Sequence, residues 1–347
     1  MQPSDQKLLL NQMIQDQSIE RYEINADILN LNCFKNYLFH MTSEQATKEY
    51  PDEKELTNKS VKDKWRQLLT TNDPKKLAVL KLMNNQFDKR GKKVIPSLGF
   101  SKRIINKVTL GLDKWKYRVV AGGHRQNPDD YEEKDISSPT LDHHALLLYL
   151  STLMRIDGIE FSTADFPGAY LASDINEEIY LTINANHVRI LFQDEEFEFL
   201  KGFVRSDGTT IIQIQKGIYG LKQAGKLWND KLIKILENFA LKQVDSYECI
   251  FKMELNNGKV LYVAAYVDDI MIATNDAAAR AALINYLKRD FPDIEANIGT
   301  KQSFLGMAIE FDYGNKTIIY DNKQYIHELC VKYNIKEDPN THRTETS

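Results

Sequence analysis

Asp268 and Asp269 interrupt an apolar run, with Val260 to Val267 before them and Ile270 to Ala273 after. Two adjacent carboxylates in a buried-looking hairpin repel each other. Burying them ionised is costly unless something positive compensates. A divalent cation is the natural compensation, and an all-oxygen donor set favours a hard ion such as Mg²⁺. Asp165 closes another short apolar-leaning strand, Ile159 to Phe166. If that strand lies beside the hairpin, its carboxylate joins the pair. Three carboxylates around two metals is an arrangement for phosphoryl transfer: one ion lowers the pKa of the attacking hydroxyl, and both stabilise charge on the transferring phosphorus. Taken singly, each aspartate also fits a plainer role, the Asp-Asp pair as a solvated turn and Asp165 as a helix cap or surface residue.

The charge distribution points the same way. The 347 residues carry a net charge of −4, yet Lys89 to Gln126 holds eleven basic residues and one acid, Asp113, a local +10. A basic lobe beside an acidic remainder can track a phosphate backbone; a solvated hairpin surface is the bland alternative. The three cysteines, Cys33, Cys249 and Cys330, lie far apart with no CxxC pair, so neither a zinc ribbon nor a disulfide framework is suggested. Buried, reduced thiols are expected. No apolar run approaches membrane length, and the N-terminus lacks an apolar signal core.

Several elements must position these groups. Residues 1–75 are polar and read as a leader or linker with some helix, from Leu8 to Ile14 and from Ser60 to Leu69, where Val61, Trp65, Leu68 and Leu69 fall at helical spacing. Val94 to Phe100, Ile104 to Leu110 and Trp115 to Ala121 read as strands. Ser138-Pro139-Thr140 is expected to open a helix with proline in its first turn. After the strand into Asp165 come strands Ile179–Ile183 and Thr210–Gln215, then a helix from about Gln223 to Phe239. Asn256-Asn257-Gly258 should turn a hairpin between Tyr247–Leu255 and Lys259–Val267. Asn275 or Asp276 should cap a helix to about Arg289. A second hairpin turns near Gly314-Asn315, and a short helix is expected from Lys323 to Tyr333. Strands alternating with helices indicate an α/β or α+β domain whose sheet carries helices on one face.

Tyr266-Val267-Asp268-Asp269 is a YVDD box, and it resembles the hairpin of reverse transcriptases. Other segments match copia-type LTR retrotransposon enzymes in order. Lys116-Tyr117-Arg118-Val119-Val120-Ala121 resembles their KARLVA segment, and Asp130-Tyr131 followed by Ser138-Pro139-Thr140 their DY…FSPV element. Asp165-Phe166-Pro167-Gly168-Ala169-Tyr170-Leu171 is similar to DVKTAFL, and Glu177-Glu178-Ile179-Tyr180-Leu181 to EEIYM. Ile218-Tyr219-Gly220-Leu221-Lys222-Gln223-Ala224, then Trp228, matches LYGLKQA…W. Phe304-Leu305-Gly306 resembles the FLG primer-grip element. The chain departs from the pattern where Gly225 replaces a proline and where KGFTQ reads Gly122-Gly123-His124-Arg125-Gln126.

This resemblance implies an α+β right-hand polymerase core. Its palm is an antiparallel sheet backed by helices, its fingers are basic and strand-rich, and its thumb is partial. Residues 76–303 would form fingers and palm, and residues 304–347 the primer-grip hairpin and the start of the thumb. Asp165, Asp268 and Asp269 would hold two Mg²⁺ or Mn²⁺ ions. Tyr170 would exclude the 2′-hydroxyl, Arg118 and Lys116 would meet the triphosphate, and Tyr219 and Gly220 would border the nucleotide. Lys222 and Gln223 are expected to begin the helix facing the template, and Lys301 to assist pyrophosphate departure. Phe304, Leu305 and Gly306 would touch the primer. The implied partners are dNTP and an RNA or DNA template with primer, without a membrane. A homo-oligomer or polyprotein-derived partners, and a cytoplasmic particle or the nucleus, fit the same reading. No ribonuclease H, integrase or protease motif is legible, so a truncated piece, a degenerate element or a domesticated product is expected. The last of these leaves a second reading open, a non-catalytic nucleic-acid-binding or assembly module.

Overall fold

The computed structural model describes residues 41–69, 79–105, 112–245, 247–305 and 307–321. The helices expected at Leu8–Ile14 and Lys323–Tyr333 lie outside these residues, as do Cys33 and Cys330. Helix α1 (Ser43–Glu49) starts at Thr42, whose hydroxyl accepts from Gln45 N while the Gln45 side chain accepts from Thr42 N. That reciprocal bonding satisfies two donors that a helix start leaves unpaired. Helix α2 (Lys54–Leu69) follows, with Val61, Trp65 and Leu68 buried as their spacing requires. This stretch, expected to be leader or linker, enters the core of the first sheet.

Five strands make that sheet: β1 (Leu80–Leu82), β2 (Lys93–Ile105), β3 (Leu112–Ala121) and, after a strand β4 (Glu160–Asp165) of another sheet, β5 (Ile179–Ile183) and β6 (Thr210–Ile214). Their order is β1-β6-β5-β2-β3, with β2 parallel to β5 and the other pairs antiparallel. Sequence reading split β2 in two at Ser101. The strand runs on because Ser101, Lys102 and Arg103 keep their ladder partners Tyr117, Lys116 and Trp115, and polar residues suit strands at a sheet edge. Its expected continuation through residues 106–110 lies outside the described residues.

Between β3 and β4 (Glu160–Asp165) lie the short helix α3 (Glu133–Ile136) and helix α4 (His143–Leu153). Helix α4 begins later than Ser138-Pro139-Thr140 suggested. The Asp142 carboxylate accepts from Ala145 N, and the apolar stripe starts only there. Between β5 and β6 stand α5 (Ala185–Leu191), capped by Asn184, and a 3₁₀ segment, Glu195–Phe203; sequence reading missed both.

The second sheet is wholly antiparallel. It combines β4 with β7 (Lys242–Val244), β8 (Tyr247–Glu254), β9 (Val260–Tyr266), β10 (Asp269–Thr274) and β11 (Ala296–Ile298), in the order β11-β4-β10-β9-β8-β7. Residues alternate across it. Ile270 and Ile272 face one core with α6 (Ala224–Asn238) and α7 (Ala277–Leu287), while Met271 and Ala273 face another with α4. The third sheet, β12 (Lys301–Phe304), β13 (Met307–Asp312) and β14 (Thr317–Asp321), contributes Phe304, Met307, Ile309 and Phe311 to that second core. Both faces of the central sheet are therefore covered, not one. Such burial explains why β9 and β10 read as nearly unbroken apolar runs. The Asn256–Gly258 and Gly314–Asn315 turns fall where expected, and Asp276 caps α7. The fold is mixed α+β with several sheets. Among the described residues no helix is long and apolar enough to cross a membrane.

Candidate active site

The register of the central sheet sets the carboxylates. Asp269 lies directly opposite Asp165 on β4 and opposite Tyr266 on β9. Directly opposed residues of antiparallel strands share a face, so the two carboxylates face the same side. Val267 and Asp268 form the two-residue turn between β9 and β10. Val267 has φ +52°, a left-handed conformation unfavourable for a β-branched residue. Two hydrogen bonds hold it there. Phe166 N donates to Asp268 O at 2.7 Å, and Trp228 Nε1 donates to Val267 O. Behind the turn Phe166, Trp228 and Phe291 meet edge to face, with centroids 4.9, 5.2 and 5.8 Å apart. Truncating one such buried ring to alanine costs about 3–5 kcal/mol. The tryptophan of the LYGLKQA…W motif thus anchors the turn that carries Asp268.

These carboxylates disturb one another. Partial burial, then Asp268 and Asp165, pushes the Asp269 carboxyl up to about 6. Asp165 is raised in the same direction by partial burial and then by Asp268, while Lys116 pulls it down. As they rest here, no three carboxylate, histidine or cysteine side chains among the described residues stand close enough to enclose a metal ion. The expected ligand set is thus gathered at one sheet end without closing into a cage. Its chemistry nevertheless fits a hard divalent cation, which would offset both the burial and the mutual repulsion that raise Asp269.

Beyond Asp165 the chain turns through Gly168 into a 3₁₀ turn, Ala169–Ala172. Tyr170 there is half-buried and touches the cores of both the first and second sheets. Its ring meets that of Tyr219 at 4.6 Å, edge to face. Burial and then Asp268 raise the pKa of both phenols, which places both rings in the field of that carboxylate. Gly220, at φ +90°, permits the close approach of this loop to β3: a Cβ there would meet Ala121 O at 2.2 Å. Ala121 N donates to Tyr219 O at 2.7 Å.

Lys116 and Arg118 share one face of β3, exposed and half-buried respectively. Lys116 acts on Asp165, and Arg118 acts on Tyr219. A third cation, Lys64 on α2, escaped the sequence reading. Burial, then the like charges of Lys116 and Arg118, lowers its pKa. No motif surrounds Lys64, so only the docking of α2 on β3 reveals it.

Other expectations change. Gln223 does not face outward; it is 4% exposed and bonds to Gln126 and Glu177. Only the backbone N of Lys222 joins it, donating to Gln126 Oε1. Lys301 pairs with Glu310 across β12 and β13. Phe304 is buried in a core, which leaves Leu305, half-buried at φ +53°, to represent the expected primer contact. Gly306 lies outside the described residues. Much of the basic run is also neutralised in space: Arg90 pairs with Asp88, Lys92 with Glu178, Lys93 with Asp130 and Glu177, and Arg103 with Glu53. Among the described residues Lys89, Lys102, Lys114 and Arg125 make no salt bridge, and Lys116 acts on Asp165 without forming one. Cys249 is buried, and burial pushes its thiol up to about 11, an inert group.

Comparison with known proteins adds to this geometry. Residues 87–346 match the family model described as reverse transcriptase (RNA-dependent DNA polymerase). From Saccharomyces cerevisiae, the truncated transposon Ty1-A Gag-Pol polyprotein is 27% identical over 249 residues, covering 69% of this chain and 19% of the relative. The transposon Ty1-NL2 Gag-Pol polyprotein is 28% identical over 231 residues, 65% of this chain and 12% of the relative. The transposon Ty1-LR2 Gag-Pol polyprotein is 27% identical over 249 residues, 69% of this chain and 13% of the relative. The chain thus spans a fifth or less of the length of these curated relatives.

Proposed function

The chain belongs to the reverse transcriptase (RNA-dependent DNA polymerase) family, and from that premise we propose that it joins a primer 3′-hydroxyl to the α-phosphate of a dNTP on an RNA or DNA template. One observation carries the reading: the register that sets Asp165 opposite Asp269 and leaves Asp268 in the turn between β9 and β10. The second sheet serves as palm, the first sheet with its β2–β3 hairpin as fingers, and the third sheet as the primer-grip region that opens a thumb.

Asp165, Asp268 and Asp269 would hold Mg²⁺ or Mn²⁺, which supplies an acidified 3′-hydroxyl and neutralised phosphate charge when bound. The chain's own groups do the rest. Arg118 and Lys116, with Lys64 behind them, offer donors to the triphosphate. The Tyr170 ring fills the space a 2′-hydroxyl would need, and the Tyr219 ring supports it. Phe166 and Trp228 hold the Asp268 turn rigid, so the carboxylates need little reorganisation on reaction. Residues 41–69, with α1 and α2, act with the fingers. The Gag-Pol names of the relatives favour a polyprotein origin and a retrotransposon particle as the setting.

The test is extension of a DNA primer on a homopolymer RNA template by purified protein with Mg²⁺ or Mn²⁺. Extension that disappears in Asp268→Asn supports the reading. Template–primer binding by a wild type that adds no nucleotide would replace it with a non-catalytic binding module.

A further inference from the structure

Resting on the polymerase reading above, we propose that Gln126, closed into a ring with Tyr131, Glu177 and Gln223, is the positioning clamp for the Tyr219 wall of the nucleotide pocket, and through it for sugar selection at Tyr170. The ring is complete. Gln126 Nε2 donates to Tyr131 OH at 2.7 Å and to Gln223 Oε1 at 3.1 Å. Tyr131 OH donates to Glu177 Oε2 at 3.1 Å, and Gln223 Nε2 donates to Glu177 Oε1 at 2.9 Å. Lys93 Nζ completes Glu177 from outside at 3.2 Å, while also pairing with Asp130.

The orientation of both amides is forced. Turning Gln126 over would set its NH₂ against the N–H of Lys222, which donates to Oε1 at 2.9 Å. Turning Gln223 over would set its oxygen against the Glu177 carboxylate. Both amide hydrogens and the oxygen of Gln126 are engaged inside the protein, and the residue is 6% exposed. It therefore acts through the loop it holds, not on a ligand.

That loop carries the pocket wall. The Lys222 N–H bond to Gln126 fixes one end of the Tyr219–Lys222 segment, and the Ala121 N–H bond to Tyr219 O fixes the other. Gly123 and Gly220 let the two backbones touch: a Cβ on Gly123 would lie 1.9 Å from Gly220 O. Any slide of the loop moves the Tyr219 ring, which stands edge-on against Tyr170 at 4.6 Å. The sequence links these residues only as separate motif fragments, and the fold joins them.

The experiment compares wild type with Gln126→Leu, which keeps the volume and removes the ring bonds. Single-nucleotide extension should show KM for dNTP raised about 10-fold and the preference for dNTP over NTP lowered by a similar factor, with the loss falling on KM more than on kcat. Hydrogen exchange at the Lys222 amide should quicken in parallel, because its acceptor is gone. If Gln126→Leu does not fold, Tyr131→Phe, which removes one hydroxyl from the ring, should move both readouts the same way by about 3-fold. An active variant with a freed Lys222 amide but wild-type KM and sugar preference overturns the clamp and leaves the polymerase reading intact. A wild type that extends no primer overturns that reading, and the clamp's role in selection falls with it.

Discussion

Two regions of the molecule treat charge in opposite ways. The basic run on the first sheet is dense in sequence and diluted in space, since Asp88, Asp130, Glu53, Glu177 and Glu178 meet four of its cations. At the end of the second sheet three aspartates stand together, and Asp165 and Asp269 are raised by burial and by their neighbours' negative charge. Among the described residues only Lys116 opposes that repulsion, at Asp165. On the proposed reading, charge left uncompensated within the fold, not charge density along the chain, marks where a charged ligand belongs. On that reading the acidic end would take a cation, and among the described residues the cations of the basic run without a salt bridge, Lys89, Lys102, Lys114, Lys116 and Arg125, would be the ones to meet phosphate.

The largest expected effect is at the acidic end. Asp165→Asn, Asp268→Asn and Asp269→Asn should each lower primer extension by about 10³-fold or more, since on the proposed reading each removes a carboxylate that would hold the metal offsetting the transition-state charge. Wild type should melt higher with Mg²⁺ or Mn²⁺, and the triple Asn variant should not respond. Equal metal responses would break the comparison at its acidic pole.

At the basic pole, replacing Lys102, Lys114 and Lys116 together with Gln should flatten the dependence of log affinity on log salt by about 2–3, at ~0.9 per lost phosphate contact. The double change Lys92→Gln and Lys93→Gln should alter that slope by less than about one, because exposed pairs already occupy those cations. Binding titrations across a salt series read both. The reverse ranking would mean that linear charge density matters after all.

Between the poles stands Tyr170, in contact with both cores. Tyr170→Ala should raise use of NTP relative to dNTP by about 10-fold, roughly 1.4 kcal/mol, read as the ratio of kcat/KM values. Tyr170→Phe should change little, because on the proposed reading the ring and not the hydroxyl does the excluding.

The smallest effect is on pH dependence. The Asp269 carboxyl is raised to about 6 in the folded protein, above its unfolded value. Its contribution to metal-free stability is therefore full below about pH 4 and lost as the pH rises through 6. In EDTA, the difference in Tm between Asp269→Asn and wild type should grow over that window and shrink again once Mg²⁺ is added. A difference constant with pH would place the raised carboxyl elsewhere.

The central sheet was legible because its strands are apolar on both faces, so three aspartates stood out against Val263, Ile270 and Ile272. The turn at Asn256-Asn257-Gly258 was legible from its residues alone. Less could be read where polar side chains meet residues distant in sequence. Nothing beside Gln126 indicates Glu177, and nothing beside Lys64 indicates Arg118. The same cause misdrew β2, where a polar triplet resembled a break until β3 was laid against it. Phe304 misled in the other direction, because a core position and a primer contact look alike in a three-residue motif.

The closed ring at Gln126 also bears on how such a chain can drift. Each member completes its neighbours, so a lone substitution that strands buried Gln126 or Gln223 costs about 1–3 kcal/mol, whereas replacing the partners together by apolar groups of matched shape can be nearly neutral. Gln126, Tyr131, Glu177 and Gln223 are therefore epistatic: the neutral route between two viable sequences passes through simultaneous changes at sites nearly a hundred residues apart. Descendants of this chain should keep the whole quartet or lose it as a block, and a lineage holding half of it would carry the cost of an unfinished exchange.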